Sequence, residues 1–271
     1  MSKFQVRIDR ATCDVFTPML LWPRSNRRYS WHWLKGITAI RDGMTGPCIP
    51  LAIRTWIVLT ALLPAALLHA QSPGKVLPRA PALPDASARY LLYLHGQIVE
   101  DQGVAPVSPQ FGSYEYRAIV GQLADSGFTV ISEARAPNTD VRIYADSVLR
   151  QIRRLLANGI TAHHITVVGA SKGSVIAMLV STRLPDPVRY VLLANCGDDI
   201  LRRFRPRLHG DVLSIYEASD PIGASCRPLF QQSPDIGQHD EIRLQTGLKH
   251  GFLYRPLPEW IGPTIAWARR P

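Results

Sequence analysis

Residues 164–179 read HITVVGASKGSVIAML, and this stretch decides the fold. It starts as a short apolar run typical of a strand in a parallel sheet, turns through Gly169-Ala170-Ser171-Lys172-Gly173, and continues as an apolar helix. A serine on such a tight turn has a strained backbone, and glycines two positions before and after it remove side chains that would collide with neighbouring backbone. The order of strand, turn and helix predicts that Ser171 lies at the carboxyl end of a parallel strand.

Similar apolar runs recur along the chain and alternate with helical patterns. Strands are predicted at residues 88–94, 128–132, 164–168, 189–194, 211–216 and 241–245. Helices are predicted at residues 114–124, 140–157, 172–183 and 258–269. This alternation implies βαβ crossovers, with helices on both faces of the sheet. We therefore expect one domain, residues 88–271, with a three-layer α/β/α fold and a mostly parallel sheet of about six strands.

A serine hydroxyl becomes a good nucleophile when a histidine takes its proton and a carboxylate orients that histidine. His250, in GLKHGF, follows the last predicted strand, and Asp220, in YEASDP, follows the preceding one. Both should lie with Ser171 at the carboxyl edge of the sheet, where open α/β sheets build their sites. The alternative acids are Asp198, Asp199 and Glu217. Four further histidines are interpreted as surface or structural residues: His163, His164, His209 and His239.

Acyl transfer to a serine also requires backbone N–H donors for the negative oxygen of the tetrahedral intermediate, each worth about 3 kcal/mol of transition-state stabilisation. The N–H of Lys172, directly after Ser171, is one candidate. The second is the N–H of Gln97, where Gly96 lets the backbone turn towards the site after the first predicted strand. His95 is interpreted as a residue that packs in this turn.

Taken together, HG after the first strand, the GxSxG turn, Asp-Pro at 220–221 and His-Gly-Phe at 250–252 resemble the α/β-hydrolase superfamily, over about residues 88–271. The resemblance implies a serine hydrolase that acts on a small-molecule ester or acyl substrate through an acyl-enzyme. The chain has HGQI where many lipases and esterases have HGGG. It shows no pattern for two antiparallel strands at the N-terminus of the sheet, and only Cys196 to Asp211 stands where a lid often inserts. We expect a small enzyme without a lid.

Two other functions fit the same residues. A hydrolase-like scaffold without catalysis would serve as an envelope binding protein, and the same triad would also support acyl transfer or the cleavage of thioesters and amides. Neither a metal nor a nucleotide cofactor is implied, because the chain has no Cys/His cluster with zinc spacing and no P-loop spacing around Gly169. A further hypothesis is that Arg202, Arg203, Arg205 and Arg207 select anionic substrates at the rim of the site.

The net charge of +10 is concentrated near the N-terminus. Residues 1–70 hold nine Lys or Arg and three Asp or Glu, which leaves +4 for residues 71–271. Because no Lys/Arg stripe interleaved with aromatic residues is present, we expect no nucleic-acid partner.

The apolar run 55–68 is too short to span a bilayer and suits the hydrophobic region of a signal peptide. We expect a signal peptide at residues 44–70, cut after Ala70, with membrane contact only through this segment before cleavage and a periplasmic or secreted product. The alternative is an uncleaved anchor formed by residues 55–68. Residues 1–43 are interpreted as unstructured or as an over-extended gene model that precedes Met44, and the proline-containing stretch 71–87 as a linker.

Cys196 and Cys226 are the cysteines that follow the expected cut. In the sheet order of the resembled superfamily they follow adjacent strands, so the resemblance makes a disulfide plausible in an oxidising compartment. The alternative is two buried free thiols.

Overall fold

The structure is a computed structural model that describes residues 74–271. The predicted signal peptide, the proposed upstream stretch and the cut after Ala70 lie outside the described residues. Within residues 74–271, no helix has the length and apolar character needed to cross a membrane.

Nine strands and seven α-helices are formed by residues 74–271. The strands are β1 (Lys75–Leu77), β2 (Arg89–Leu94), β3 (Val107–Ser108), β4 (Gly112–Ser113), β5 (Phe128–Ile131), β6 (Ile165–Ala170), β7 (Arg189–Leu193), β8 (Gly210–Glu217) and β9 (Ile236–Leu244). The helices are α1 (Gln97–Gln102), α2 (Tyr116–Asp125), α3 (Val141–Ala157), α4 (Lys172–Arg183), α5 (Asp198–Phe204), α6 (Arg227–Gln231) and α7 (Pro258–Ala268). Two 3-10 helices cover Ala162–His164 and Lys249–Tyr254.

Seven strands form one sheet in the order β1-β5-β2-β6-β7-β8-β9, and every neighbouring pair is parallel. The central strand β6 pairs with β2 and β7 and leads directly into Ser171. The strands β3 and β4 form a separate antiparallel hairpin. The prediction of an α/β fold with a mostly parallel sheet is confirmed.

Alternate residues of each central strand enter opposite cores, as the two-residue period of a strand requires. Leu92 and Val167 face the core covered by α3, α4, α5 and α6. Leu91 and Val168 face the second core, which α1, α2 and α7 cover. The sheet is therefore buried on both faces, which explains why its strands consist of continuous apolar runs.

The helix α3 shows how directly its sequence specifies the structure. Apolar residues at three- and four-residue steps predict a helix over 140–157, and α3 occupies 141–157. Asp140 caps its N-terminus, because its carboxylate accepts hydrogen bonds from the N–H groups of Arg142 at 2.8 Å and Ile143 at 3.0 Å. The buried face is formed by Ala145, Val148, Leu149, Ile152 and Leu155.

The stretch 71–87 is not a linker throughout, because it contains the edge strand β1. Val76 pairs with Val130 of β5, and the sheet has seven strands where about six were expected. A three-residue strand next to a proline is too short to show a two-residue period, so its sequence gives no strand signal. The region 97–113, for which no strand or helix is predicted, contains α1 and the β3–β4 hairpin, and the short helices α5 and α6 were also not predicted.

Cys196 and Cys226 form a disulfide with a Cα–Cα distance of 5.1 Å. The bridge joins the segment after β7 to the start of α6, and both cysteines are buried. It closes a loop of 30 residues that includes β8 and Asp220. In the chain-entropy estimate, a loop of this length stabilises the folded state by roughly 3–4 kcal/mol.

We predict that replacing both cysteines with serine lowers the free energy of unfolding by about 3 kcal/mol, because the unfolded chain regains the freedom of the closed loop. Urea unfolding of the oxidised wild type and of the C196S/C226S variant measures this difference. Dithiothreitol should destabilise the wild type and leave the variant unchanged. Equal unfolding midpoints for the wild type and the variant, each with and without dithiothreitol, would contradict the prediction.

Candidate active site

Ser171 lies on a strained turn between β6 and α4, with φ 52° and ψ −117°. The two glycines of the turn are required by close backbone contacts. A Cβ atom on Gly169 would lie 2.4 Å from the carbonyl oxygen of Gly173, and one on Gly173 would lie 1.9 Å from the carbonyl oxygen of Leu94. Both positions therefore exclude any side chain, as the GxSxG pattern predicts.

The strained turn is fixed by hydrogen bonds to the adjacent strand β7 and to the segment after it. The N–H of Ser171 donates to the carbonyl of Leu193 at 2.9 Å. The buried hydroxyl of Ser174 lies 2.6 Å from the carbonyl of Gly169 and accepts from the N–H of Leu193 at 3.0 Å. Asn195 donates from its amide to the carbonyl of Ser171 at 2.9 Å. Asn195 could not be predicted from the sequence, because nothing local distinguishes it from other loop asparagines.

The structure brings together the three residues predicted to form a triad. The Nε2 atom of His250 lies 3.0 Å from the Oγ of Ser171, and its Nδ1 lies 2.7 Å from Oδ2 of Asp220. With a neutral imidazole, these distances allow Nδ1–H to donate to the carboxylate while Nε2 accepts the hydroxyl proton. Asp220 and His250 are both buried, so water does not compete strongly for this contact.

Asp220 is held in a single orientation by its own loop. Its Oδ1 accepts from the N–H of Ile222 at 2.9 Å, which leaves Oδ2 directed to His250. A Cβ on Gly223 would lie 2.8 Å from Oδ2 of Asp220, so the backbone packs tightly against the carboxylate. The acid is therefore oriented before any ligand arrives.

The buried carboxylate of Glu217 connects the loop that carries Asp220 to the loop that carries His250. It accepts from the hydroxyl of Ser219 at 3.0 Å, and from both the N–H and the hydroxyl of Thr246 at 2.8 Å. Burial alone would raise the pKa of Glu217, but these hydrogen bonds lower its pKa to about 2. Glu217 was considered as an alternative acid, and the structure instead gives it contacts to these loops.

The other candidate acids and histidines do not reach Ser171. Asp198 and Asp199 are exposed in the first turn of α5, where Asp198 lies 3.8 Å from Arg202. His163 and His164 form a 3-10 helix before β6, at the opposite end of that strand from Ser171. The ring of His239 packs against Phe230 at a tilt, and the backbone N–H of His209 donates to the hydroxyl of Ser181.

Two backbone N–H groups next to Ser171 remain available for a ligand. Lys172 is the first residue of α4 and Gln97 the first residue of α1, and neither N–H has an acceptor among the described residues. Gly96 places the Gln97 segment against the nucleophile, since a Cβ on Gly96 would lie 3.6 Å from the Cβ of Ser171. These are the donors that the sequence predicted.

His95 is fully buried behind this turn and packs as expected. Its Nδ1–H donates to the carbonyl of Gly96 at 2.8 Å, and its Nε2 accepts from the N–H of Arg135 at 2.9 Å. Burial, with the Arg135 guanidinium nearby, lowers the pKa of His95 to about 3. His95 is therefore neutral at physiological pH and fixed in one tautomer.

A cavity of about 360 Å³ is lined by Lys249 and Gly251, the chain neighbours of His250, but not by His250 or Ser171. Its apolar walls come from Phe111, Leu248 and Leu257, and its charged groups from Lys249 and Arg255. The ring of Phe111 packs towards His250, with 6.4 Å between the ring centroids. The cavity can accept an apolar group next to the predicted base.

The arginines of residues 202–207 do not support the hypothesis of a charged rim. The N–H of Arg207 donates to the hydroxyl of Thr182 at 3.2 Å. Thr182 is eleven residues beyond Ser171 on α4, about 16 Å along the helix axis. Arg202, Arg205 and Arg207 line a separate cleft of about 350 Å³. The structure therefore places the backbone of Arg207 away from Ser171, which contradicts the hypothesis for that residue. For metals, the part of the chain that the structure describes contains no group of three or more potential ligands.

No protein-family model matches the chain, and no curated protein does either. The chain is similar to several solved structures, each at low sequence identity. SOBER1 of Arabidopsis thaliana matches 68% of this chain and 100% of its own, with 14% identity and a TM-score of 0.42. A predicted CIB-like hydrolase of Thermoplasma acidophilum matches 69% of this chain and 88% of its own, with 16% identity and a TM-score of 0.46. The feruloyl esterase module of Clostridium thermocellum matches 64% of this chain and 77% of its own, with 11% identity and a TM-score of 0.41. These likenesses concern the fold.

We predict that Glu217→Gln destabilises the folded protein by about 2 kcal/mol at pH 7. The amide has one acceptor oxygen for the hydrogen-bond donors of Ser219 and Thr246, which in the wild type share two carboxylate oxygens. The folded pKa of Glu217, about 2, lies below its ordinary value of 4.5. The stabilisation from the wild-type carboxylate is therefore fully present above pH 4.5 and is lost as the pH falls towards 2.

Urea unfolding at pH 7, 4 and 2.5 measures the difference between the wild type and Glu217→Gln, which should shrink at the lower pH values. Glu259→Gln, at an exposed position of α7, is the control and should show little difference at any pH. A difference that stays constant from pH 7 to 2.5 would contradict the assignment.

Proposed function

We propose that this chain is a serine hydrolase that cleaves a carboxylic ester through an acyl-enzyme on Ser171. The observation that carries the proposal is the contact of His250 with both partners, at 3.0 Å to Ser171 and 2.7 Å to Asp220. Both distances lie in the range required for proton transfer from a nucleophile to a base and for orientation of that base.

In the proposed reaction, Nε2 of His250 takes the proton of Ser171 as Oγ attacks the carbonyl carbon of the ester. The carbonyl double bond opens, and the N–H groups of Lys172 and Gln97 donate to the oxygen that becomes negative. His250 then gives its proton to the leaving alcohol, and the carbon–oxygen bond breaks. Water, activated by the same histidine, hydrolyses the acyl-enzyme and regenerates Ser171. Asp220 stabilises the imidazolium throughout.

We assign one part of a small ester to the cavity that is lined by the chain neighbours of His250. Its volume of about 360 Å³ lies at the lower end of the range for ligand pockets. The walls formed by Phe111, Leu248 and Leu257 favour an apolar portion of the ester. The connection between β7 and β8 contains one short helix, α5, and this agrees with an open site without a lid domain.

We further propose that the enzyme works outside the cytoplasm. Two observations support export: the signal-like segment ending at Ala70 in the sequence, and the disulfide between Cys196 and Cys226. Disulfides persist in oxidising compartments and are rare in the cytosol.

A fluorophosphonate probe tests the proposed nucleophile, because it phosphonylates serines activated by a neighbouring base. The wild type should be labelled at neutral pH, Ser171→Ala should not, and Asp220→Asn should be labelled on the order of 10³-fold more slowly. Ser126→Ala, at the half-buried C-cap position of α2, is the matched control and should be labelled like the wild type. Labelling of Ser171→Ala at the wild-type rate would contradict the proposal that Ser171 is the nucleophile.

Mass spectrometry of the mature N-terminus tests the proposed export. When the full chain is expressed in a cell with a secretion pathway, we expect the purified protein to begin at Gln71. Recovery of the segment from Trp56 to Leu68 in the purified protein would contradict cleavage after Ala70 and support the membrane anchor.

A further inference from the structure

A buried cluster of three charged side chains lies beneath the proposed site and takes no part in the reaction as described. We call Glu100, Arg135 and Lys172 the Glu100 cluster. The Oε1 of Glu100 lies 2.6 Å from Nε of Arg135, and Oε2 lies 2.5 Å from Nζ of Lys172. The side chain of Glu100 is 0% exposed, that of Arg135 is 1% exposed and that of Lys172 is 19% exposed.

The Glu100 cluster joins the two segments that carry the proposed oxyanion donors. Glu100 belongs to α1, which begins with Gln97. Lys172 directly follows Ser171 at the turn between β6 and α4, which we call the nucleophile elbow. Arg135, beyond β5, also holds the turn between them, because its guanidinium donates to the carbonyl of His95 and its N–H donates to the imidazole of His95. One carboxylate therefore connects α1, the His95 turn and the nucleophile elbow.

The helix α1 has few other anchors. It is six residues long, the N-cap residue Gly96 that precedes it has no side chain to cap it, and Val99 and Glu100 are its buried residues. A short uncapped helix is marginal on its own, so tertiary contacts must determine its position. Besides the two ion pairs of Glu100, the position of the Gln97 N–H depends on the packing of Ile98 and Val99 and on the His95 turn.

Stability alone does not account for the cluster. Burying charges costs desolvation energy that the ion pairs recover only partly, and apolar replacements of similar volume are often equally stable. Two cations share one carboxylate here, and Nη1 of Arg135 has no hydrogen-bond partner among the described residues. Within the Glu100 cluster two cations face one carboxylate, so the net charge of the cluster is positive, which is the sign that favours an oxyanion.

We propose that the Glu100 cluster positions the oxyanion hole, with Glu100 and Lys172 as positioning residues that keep the Gln97 and Lys172 N–H groups converged on one point. This inference rests on the proposed function. The cluster acts on the reaction through geometry, because a displacement of about 1 Å in a reacting group can cost about 10²-fold in rate.

The test measures turnover of p-nitrophenyl acetate by Glu100→Gln, Lys172→Met and the double variant. The burst of p-nitrophenol counts the acylated sites, so that kcat can be expressed per active site. We expect each single variant to lose about tenfold in kcat per site, with KM changed less than about twofold, since a displaced donor costs less than a deleted one. The kcat per site of the double variant should be no lower than that of the single variant with the lower kcat, because the two residues act as one unit.

Two further variants separate positioning from stability. Lys172→Arg keeps the charge and the pairing with Glu100, so its kcat per site should return to within about threefold of the wild type. Arg183→Gln removes an exposed ion pair with Asp146 in the other helix layer and should leave kcat unchanged. The side chain of Lys172 is partly exposed, so Lys172→Met should fold even if Glu100→Gln does not, and it then provides the test by itself.

The outcomes are distinguishable. Variants that lose thermal stability or active sites, but keep the wild-type kcat per site, would overturn the positioning role. Losses that multiply in the double variant would overturn the joint action of Glu100 and Lys172. A wild type that is folded but gives no burst and no turnover would instead overturn the proposed function, and the inference with it.

Discussion

The approach of α4 to β2 constrains the whole site. Gly173 lies so close to the carbonyl of Leu94 that a single methyl group would sit 1.9 Å from that oxygen. This contact sets the first turn of α4 against the end of β2, which continues into His95 and Gly96. Ser171 therefore adopts a backbone conformation that a non-glycine residue rarely takes, and its side chain is presented beside the Gln97 segment. The strain is tolerated because β6, β7 and α4 hold both sides of the turn.

The remaining parts of the site are brought to Ser171 by the parallel sheet. Because all strands of the seven-stranded sheet point the same way, the segments after β6, β8 and β9 meet at one edge. Glu217, at the end of β8, then connects two of these segments and fixes Asp220 relative to His250. Backbone geometry provides the coarse placement, and buried hydrogen bonds provide the final orientation.

Sequence reasoning identified the parts of this arrangement that depend on local pattern. The helix α3, the elbow around Ser171 and the order Asp220 then His250 all carry short-range signals, namely periodicity, glycine spacing and position after a strand. The edge strand β1 was missed because three residues are too few to show a period. The contacts of Glu100 could not be predicted, since its partners Arg135 and Lys172 lie 35 and 72 residues away. Such pairing depends on tertiary contacts and produces no short-range pattern in the sequence.

The central claim is that Ser171 carries the acyl group during turnover, and direct detection of that intermediate tests it. Trypsin should release residues 155–172 as a peptide in which Ser171 is the one serine. After rapid acid quench of a reaction with p-nitrophenyl acetate, the account predicts this peptide with one added acetyl group, located by fragmentation on Ser171. Steady release of p-nitrophenol, with the acetyl group on another residue or with no acylated peptide at any time point, would contradict it.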